Sequence, residues 1–259
     1  MLQRSIRNLA CLAAFAGLAA PLGFSQHYSS ELMPPEYRGV NAIVDGVFVT
    51  PVPGAPMTAV VDVRSTQTLA DGSILEKKSI ANIARDSQGR IYNERRQLVS
   101  PSFTGKPQLL SFHIFDPETR LSTFVNPMTR VARQFALPAP ANVGESNPDL
   151  LYASRRPSAD GEDLGTQVME NVLVRGVRKT RTVPAAASGT GNPVVVTDEY
   201  WYSDELHLNM LVKHDDPRTG QQTVTVTRVD RSEPNESVFK VPAGYKLVDE
   251  SPEKPAPEK

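Results

Sequence analysis

The chain has 259 residues, of which 39% are apolar and 22% charged, with 16 Gly and 22 Pro. That composition supports a packed core, which excludes wholesale disorder, and no second apolar run is long enough for a polytopic membrane protein. A net charge of −1 gives no electrostatic footprint for nucleic acid.

Residues 1–25 read as a secretory signal peptide. Arg4 and Arg7 form a basic start, an apolar stretch runs from Leu9 to Leu22, and small residues at Gly23 and Ser25 precede the expected cleavage before Gln26. The stretch is shorter than the ~20 residues that cross a bilayer, so no transmembrane span is expected after signal removal. Cleavage removes Cys11, the only cysteine, together with both of those arginines, leaving 26 basic residues against 29 acidic ones. Without thiols the mature chain has no disulfide framework, thiolate nucleophile or Cys-ligated metal. A periplasmic or secreted protein is expected.

Residues 26–42 are expected to be irregular and residues 43–250 to form a single β domain. Residues 43–49 and 58–69 are rich in β-branched side chains. Asp71-Gly72 signals a hairpin, and Asp86-Ser87-Gln88-Gly89 a second tight turn between strands near 74–85 and 90–99. A strand over 109–115 follows. Asp116-Pro117, Asn126-Pro127 and Asp216-Pro217 open three turns of one chemistry: an Asx that can accept from the backbone two residues on, then a Pro with preset φ. Loops are expected near 138–163, with a short helix starting at Asn147-Pro148, and near 185–193. Residues 164–183 read as two strands, followed by strands at 194–202, 208–214 and 222–229. A helical turn is expected within 232–239 and a disordered tail over 251–259. The fold class is therefore mainly β: a large, curved antiparallel meander sheet, as a half-barrel or open barrel, with a few short helices.

Several segments carry a resemblance. They are Ala84-Arg85-Asp86-Ser87-Gln88-Gly89-Arg90, Ile114-Phe115-Asp116-Pro117, and Thr197-Asp198-Glu199-Tyr200-Trp201-Tyr202-Ser203. The runs from Lys213 to Gly220 and from Phe239 to Tyr245 extend it. In these segments the chain resembles an uncharacterised group of bacterial exported proteins. In fold it is similar to the half-barrel of periplasmic lipoprotein carriers of the LolA type and of related envelope-stress regulators. The resemblance implies a lipid or lipoprotein ligand, or an envelope protein partner.

Candidate chemistry is sparse. The histidines are His27, His113, His207 and His214. His207 and His214 fall in one predicted strand at an odd separation, on opposite faces, and His214, Asp215 and Asp216 flank a turn, so no metal site is expected. There is no His-Glu-x-x-His, phosphate loop or Gly-x-Ser-x-Gly elbow. The adjacent acids Asp198/Glu199 and Asp204/Glu205 diverge in extended chain. No catalytic residue and no cofactor is expected. The basic residues Arg175, Arg178, Lys179 and Arg181 read as a charged, solvated sheet edge. The densest aromatic segment, Tyr200, Trp201 and Tyr202, supplies the candidate ligand-binding residues. The expectation is a non-catalytic envelope protein that binds a lipid-like or other apolar ligand in a curved sheet. The alternatives are a periplasmic interaction or sensing module working through a sheet edge, and a hydrolase.

Overall fold

The computed structural model describes residues 47, 49–69, 71–137 and 160–251. The expected signal peptide, the segment 26–42, the helix at Asn147-Pro148 and the tail from 252 onward lie outside the described residues. Among the described residues twelve strands form one sheet: β1 (Met57–Thr68), β2 (Ile74–Arg85), β3 (Ile91–Arg96), β4 (Leu109–Asp116), β5 (Leu121–Asn126), β6 (Val131–Ala136), β7 (Glu162–Met169), β8 (Val172–Val183), β9 (Val194–Ser203), β10 (Leu208–Asp216), β11 (Gly220–Asp230) and β12 (Lys246–Asp249). A one-turn helix, α1 (Ala185–Ser188), and a 3₁₀ turn (Glu236–Phe239) complete it.

The strand order is β12-β6-β5-β4-β3-β2-β1-β11-β10-β9-β8-β7. Two meanders, β1 to β6 and β7 to β11, are thus joined where β1 pairs with β11. The sheet is open, with β12 and β7 at its edges, and mainly β as expected. A simple antiparallel meander is not what forms: β12 pairs in parallel with β6. Parallel neighbours cannot be linked by a tight turn. After β11 the chain must therefore travel back along the strand direction, and residues 231–245 make that journey as a strap across one face.

The three Asx-Pro turns behave alike. Backbone N–H groups of Glu118, Met128 and Arg218 donate to Asp116 Oδ1, Asn126 Oδ1 and Asp216 Oδ1, each at 2.9 Å. The fifth residue of each turn is left-handed: Arg120 at φ 58°, Arg130 at 53° and Gly220 at 98°. At the β1–β2 hairpin Leu69 N–H donates to Ser73 O (2.8 Å), so the closing pair sits outside the Asp71-Gly72 dipeptide. Residues 185–188, expected as loop, instead form α1, ended by Gly189 at φ 74°.

Both faces of the sheet are packed. On one face Met57, Val61 and Val63 of β1, Ile83 of β2 and Val224 and Val226 of β11 form the main core with Val47, Val49 and Leu206. On the other, Ala84, Phe112, Ile114, Val125 and Ala132 are covered by Phe239 of the strap. Packing on both faces explains the near-continuous apolar run of β4, where Phe112 to Phe115 are all buried.

Candidate functional site

The aromatic candidates lie in β9 and do not share one site. Tyr202 is buried, while Tyr200 and Trp201 are half-buried against the main core. The Trp201 indole rests on Gly176 of β8, where a Cβ would meet the ring at 2.8 Å, and its Nε1–H donates to Glu199 Oε1 at 2.7 Å. Asp198 and Glu199 diverge: Asp198 Oδ1 bonds His214 Nδ1 at 2.6 Å, while Glu199 receives Trp201, Lys213 and Arg178. His207 occupies the turn before β10 at φ 48°, so the expectation that it shares a strand with His214 is corrected. Three of the four basic residues of β8 are paired, Arg175 with Asp163, Arg178 with Glu162 and Glu199, and Lys179 with Asp160, while Arg181 is exposed. They lie one strand in from the edge, which is β7. Among the described residues no three His, Cys, Asp or Glu side chains converge to hold a metal. No helix among them is long and apolar enough to cross a membrane.

One Ser–His contact does form. His113 Nε2 lies 2.8 Å from Ser122 Oγ, and the imidazole stacks on Phe124 at 4.4 Å between centroids. Both residues are buried, His113 at 2% and Ser122 at 4% exposure, which leaves a substrate no approach. Burial pushes the His113 pKa down to about 3, so the ring is neutral at physiological pH.

A cavity of about 570 Å³ lies under the strap. Its floor is the face opposite Val61: Thr58 and Val60 of β1, Asn82 and Ala84 of β2, Tyr92 and Glu94 of β3, and Leu109 and Phe112 of β4. A bulge between Arg95 and Arg96 shifts the register, bringing Leu109 opposite Arg96 on the side of Phe112. The strap supplies Ser237, Val238, Lys240, Pro242 and Tyr245, and Arg228 stands at the rim. Two contacts pin the strap to the β2–β3 turn, and a buried side chain anchors it. Glu233 Oε1 accepts from Ser87 N–H at 3.1 Å, Arg90 lies 5.1 Å from the Phe239 ring centroid, and Phe239 itself is buried.

The polar floor of the cavity is a closed network. Glu94 accepts from Asn82 N–H (2.9 Å), Asn82 Nδ2 (3.1 Å), Tyr92 Oη (3.0 Å), and Arg96 Nε and Nη2 (2.7 and 2.9 Å). Burial alone would raise the Glu94 pKa, but the donors, Arg96 foremost, outweigh it and hold the carboxyl below its usual range. Burial first, and Glu94 next, push the Tyr92 phenol well above its ordinary value, so it remains a donor. The Glu94 carboxylate is thus engaged, and apart from Thr58, Ser237, Lys240 and Arg228 the remaining lining is aliphatic and aromatic. The arrangement suits an apolar guest.

No family model matches the sequence, and no curated protein matches it. Solved structures do show similarity. An uncharacterised conserved protein from Thermus thermophilus matches with a TM-score of 0.39 at 10% identity, over 76% of this chain and 91% of that one. MucA/MucB from Pseudomonas aeruginosa matches at 0.37 and 11% identity, over 74% of this chain and 58% of that one. A LolA superfamily protein from Nitrosomonas europaea matches at 0.30 and 9%, over 74% and 92%.

Sequence reasoning passed over the cavity residues. The signal was available in β3, where Tyr92, Glu94 and Arg96 alternate and so share one face. That face also holds Ala84 and Phe112 of the neighbouring strands, an apolar surface in need of cover. The segment from Phe239 to Tyr245, noticed only for its resemblance, supplies that cover.

Proposed function

We propose that this is a non-catalytic, extracytoplasmic binding protein whose cavity beneath the strap takes the acyl chain, or an equally apolar portion, of a lipid-like ligand. The observation that carries the reading is the cavity itself. At about 570 Å³ it falls within the usual range of ligand pockets, its walls are largely aliphatic and aromatic, and its buried acid is already satisfied. The signal-peptide pattern of residues 1–25 supports an extracytoplasmic location. The site differs from the one expected at Tyr200, Trp201 and Tyr202, none of which lines this cavity.

Titration with a fluorescent fatty acid tests it. Saturable one-to-one uptake is expected. Val60→Trp from the floor and Val238→Trp from the roof should each weaken uptake roughly tenfold, the equivalent of about 1.4 kcal/mol of lost contact. Unchanged melting curves for the two variants would show that the fold is intact. Failure of the wild-type protein to take up the probe, or uptake indifferent to both filled variants, would overturn the reading.

The second reading, a partner segment added to a sheet edge, draws on β7. Among the described residues this eight-residue strand pairs on one side only and is largely exposed. Its bulge at Gly165 and the ion pairs along β7 and β8 oppose augmentation, which places this reading second. A stoichiometric partner recovered from envelope extract, and lost on Thr166→Pro, would promote it.

A further inference from the structure

The exposed large apolar side chains are not scattered. Leu69, Ile74 and Leu75 flank the β1–β2 connection, Phe103 lies between β3 and β4, Met128 between β5 and β6, and Leu247 near the start of β12. In an antiparallel meander alternate connections emerge at the same end, so all six stand at one end of the sheet. Val195, at the start of β9, stands there too, while Val168 and Leu173 flank the opposite end. The β1–β2 hairpin projects beyond its neighbours. β11 pairs with β1 only as far as Thr66, and β3 pairs with β2 only over Ile83–Arg85, so the pairs Gln67↔Leu75 and Thr68↔Ile74 lie beyond both ladders.

Cations surround these tips. Lys77, Lys106, Arg130 and Lys246 are exposed at the same end, and among the described residues none has a carboxylate partner. The nearby acids are mostly committed to their own turns. Asp71 accepts from Ser73 N–H at 2.9 Å, and Asp216 holds the Arg218 guanidinium at 2.6 Å, while Glu76 beside Lys77 offsets one positive charge. Isolated apolar tips on separate loops make no groove for a rigid partner, whereas a fluid, negatively charged interface accommodates them all.

We propose that this end of the sheet docks on the surface of an anionic lipid bilayer. The side chains of Leu69, Ile74, Leu75 and Phe103 enter the boundary between headgroups and acyl chains, and Lys77, Lys106, Arg130 and Lys246 lie against lipid phosphates. The docking does not depend on the cavity binding a ligand.

The test uses the full chain with Cys11→Ser and a single Ser73→Cys at the hairpin tip, carrying an environment-sensitive fluorophore. Ser232→Cys, labelled identically at the opposite end of the sheet, is the control. With phosphatidylglycerol vesicles the label at 73 should shift to the blue and become shielded from iodide, while the label at 232 should not. Phosphatidylcholine vesicles should give a weaker response. Lys106→Gln, Arg130→Gln and Lys246→Gln should each weaken the response roughly fivefold. Because the readout is local, attachment through the apolar residues of the amino terminus would not produce it. No response at 73, an equal response at both positions, or a response indifferent to the three charge substitutions would overturn the proposal.

Discussion

Two buried polar side chains on opposite faces of the sheet solve the same problem in different ways. Glu94 stays ionised because Arg96, Asn82 and Tyr92 surround it with donors, so the cost of burial is offset by charge-assisted bonds. His113 has Ser122 within hydrogen-bond distance and a phenyl ring stacked on it, and it remains neutral. Both choices lose stabilisation in acid, because each group binds its proton less readily in the folded chain than in the unfolded one, but they do so in different pH windows. An unfolded histidine takes a proton near pH 6.5, whereas in the folded chain burial pushes the His113 pKa down to about 3. Between those values the unfolded state binds the extra proton. The contribution of His113 is therefore complete above pH 6.5 and declines as pH falls through the window toward 3, by up to about 1.4 kcal/mol per unit. Urea denaturation across pH 7 to 4 should show this slope in the wild type, and His113→Gln should flatten it. An equal slope in the two proteins would mean that other groups carry the acid sensitivity. Neither environment was legible from residue type alone, since alternation gives a side chain its face but says nothing of what lies across it.

At the scale of the element, the Asx-Pro turns show which parts of local structure the sequence could reveal. The Asx acceptor and the proline φ depend on neighbours in the chain, so those turns were readable as turns. The left-handed fifth position was readable only at Gly220, because Arg120 and Arg130 adopt the same conformation with a Cβ present. The difference is tertiary. A Cβ on Gly220 would overlap the Thr66 carbonyl oxygen of β1, so glycine is required there by crowding as well as by φ. Arg130 is exposed and its side chain bonds none of the described residues, so its left-handed backbone is tolerated without a clash. We therefore expect opposite signs from two substitutions in equivalent turns. Gly220→Ala should cost about 3 kcal/mol or more, while Arg130→Gly should change stability by less than about 1 kcal/mol, in the favourable direction. Chemical denaturation of the two variants measures both. A mild Gly220→Ala would mean that β1 and the β10–β11 turn can separate without loss.

At the scale of the whole molecule, long-range pairings decide the architecture. Strand existence followed from β-branched runs and turn chemistry, but the β1–β11 seam and the parallel β12–β6 pair join residues far apart in the chain, and no local pattern encodes them. The cavity shares that origin, since its floor comes from β1 to β4 and its roof from residues more than a hundred positions later. Arg85 at the end of β2 binds the two meanders into one body. Its Nε–H donates to Ala55 O (2.7 Å) and its Nη1 to Thr50 O (2.8 Å), both in the segment entering β1, while its Nη2 donates to Leu206 O (2.9 Å) between β9 and β10. Fully buried, the guanidinium has its pKa pushed down to about 10, which still leaves it charged near neutral pH. Carbonyl oxygens thus hold a charge that a carboxylate would hold elsewhere, and each also depends on that charge for its hydrogen bond. Arg85→Met would fill much of the volume but strand those carbonyls in the interior, at a cost of about 3 kcal/mol or more. Because the three carbonyls belong to both meanders, the loss should appear beyond β2. Amide exchange should speed up in the 49–56 segment and around Leu206 together, while the β5–β6 hairpin, remote from Arg85 in the strand order, keeps its protection. Faster exchange confined to β2, or spread evenly over the sheet, would show that Arg85 does not join the two halves.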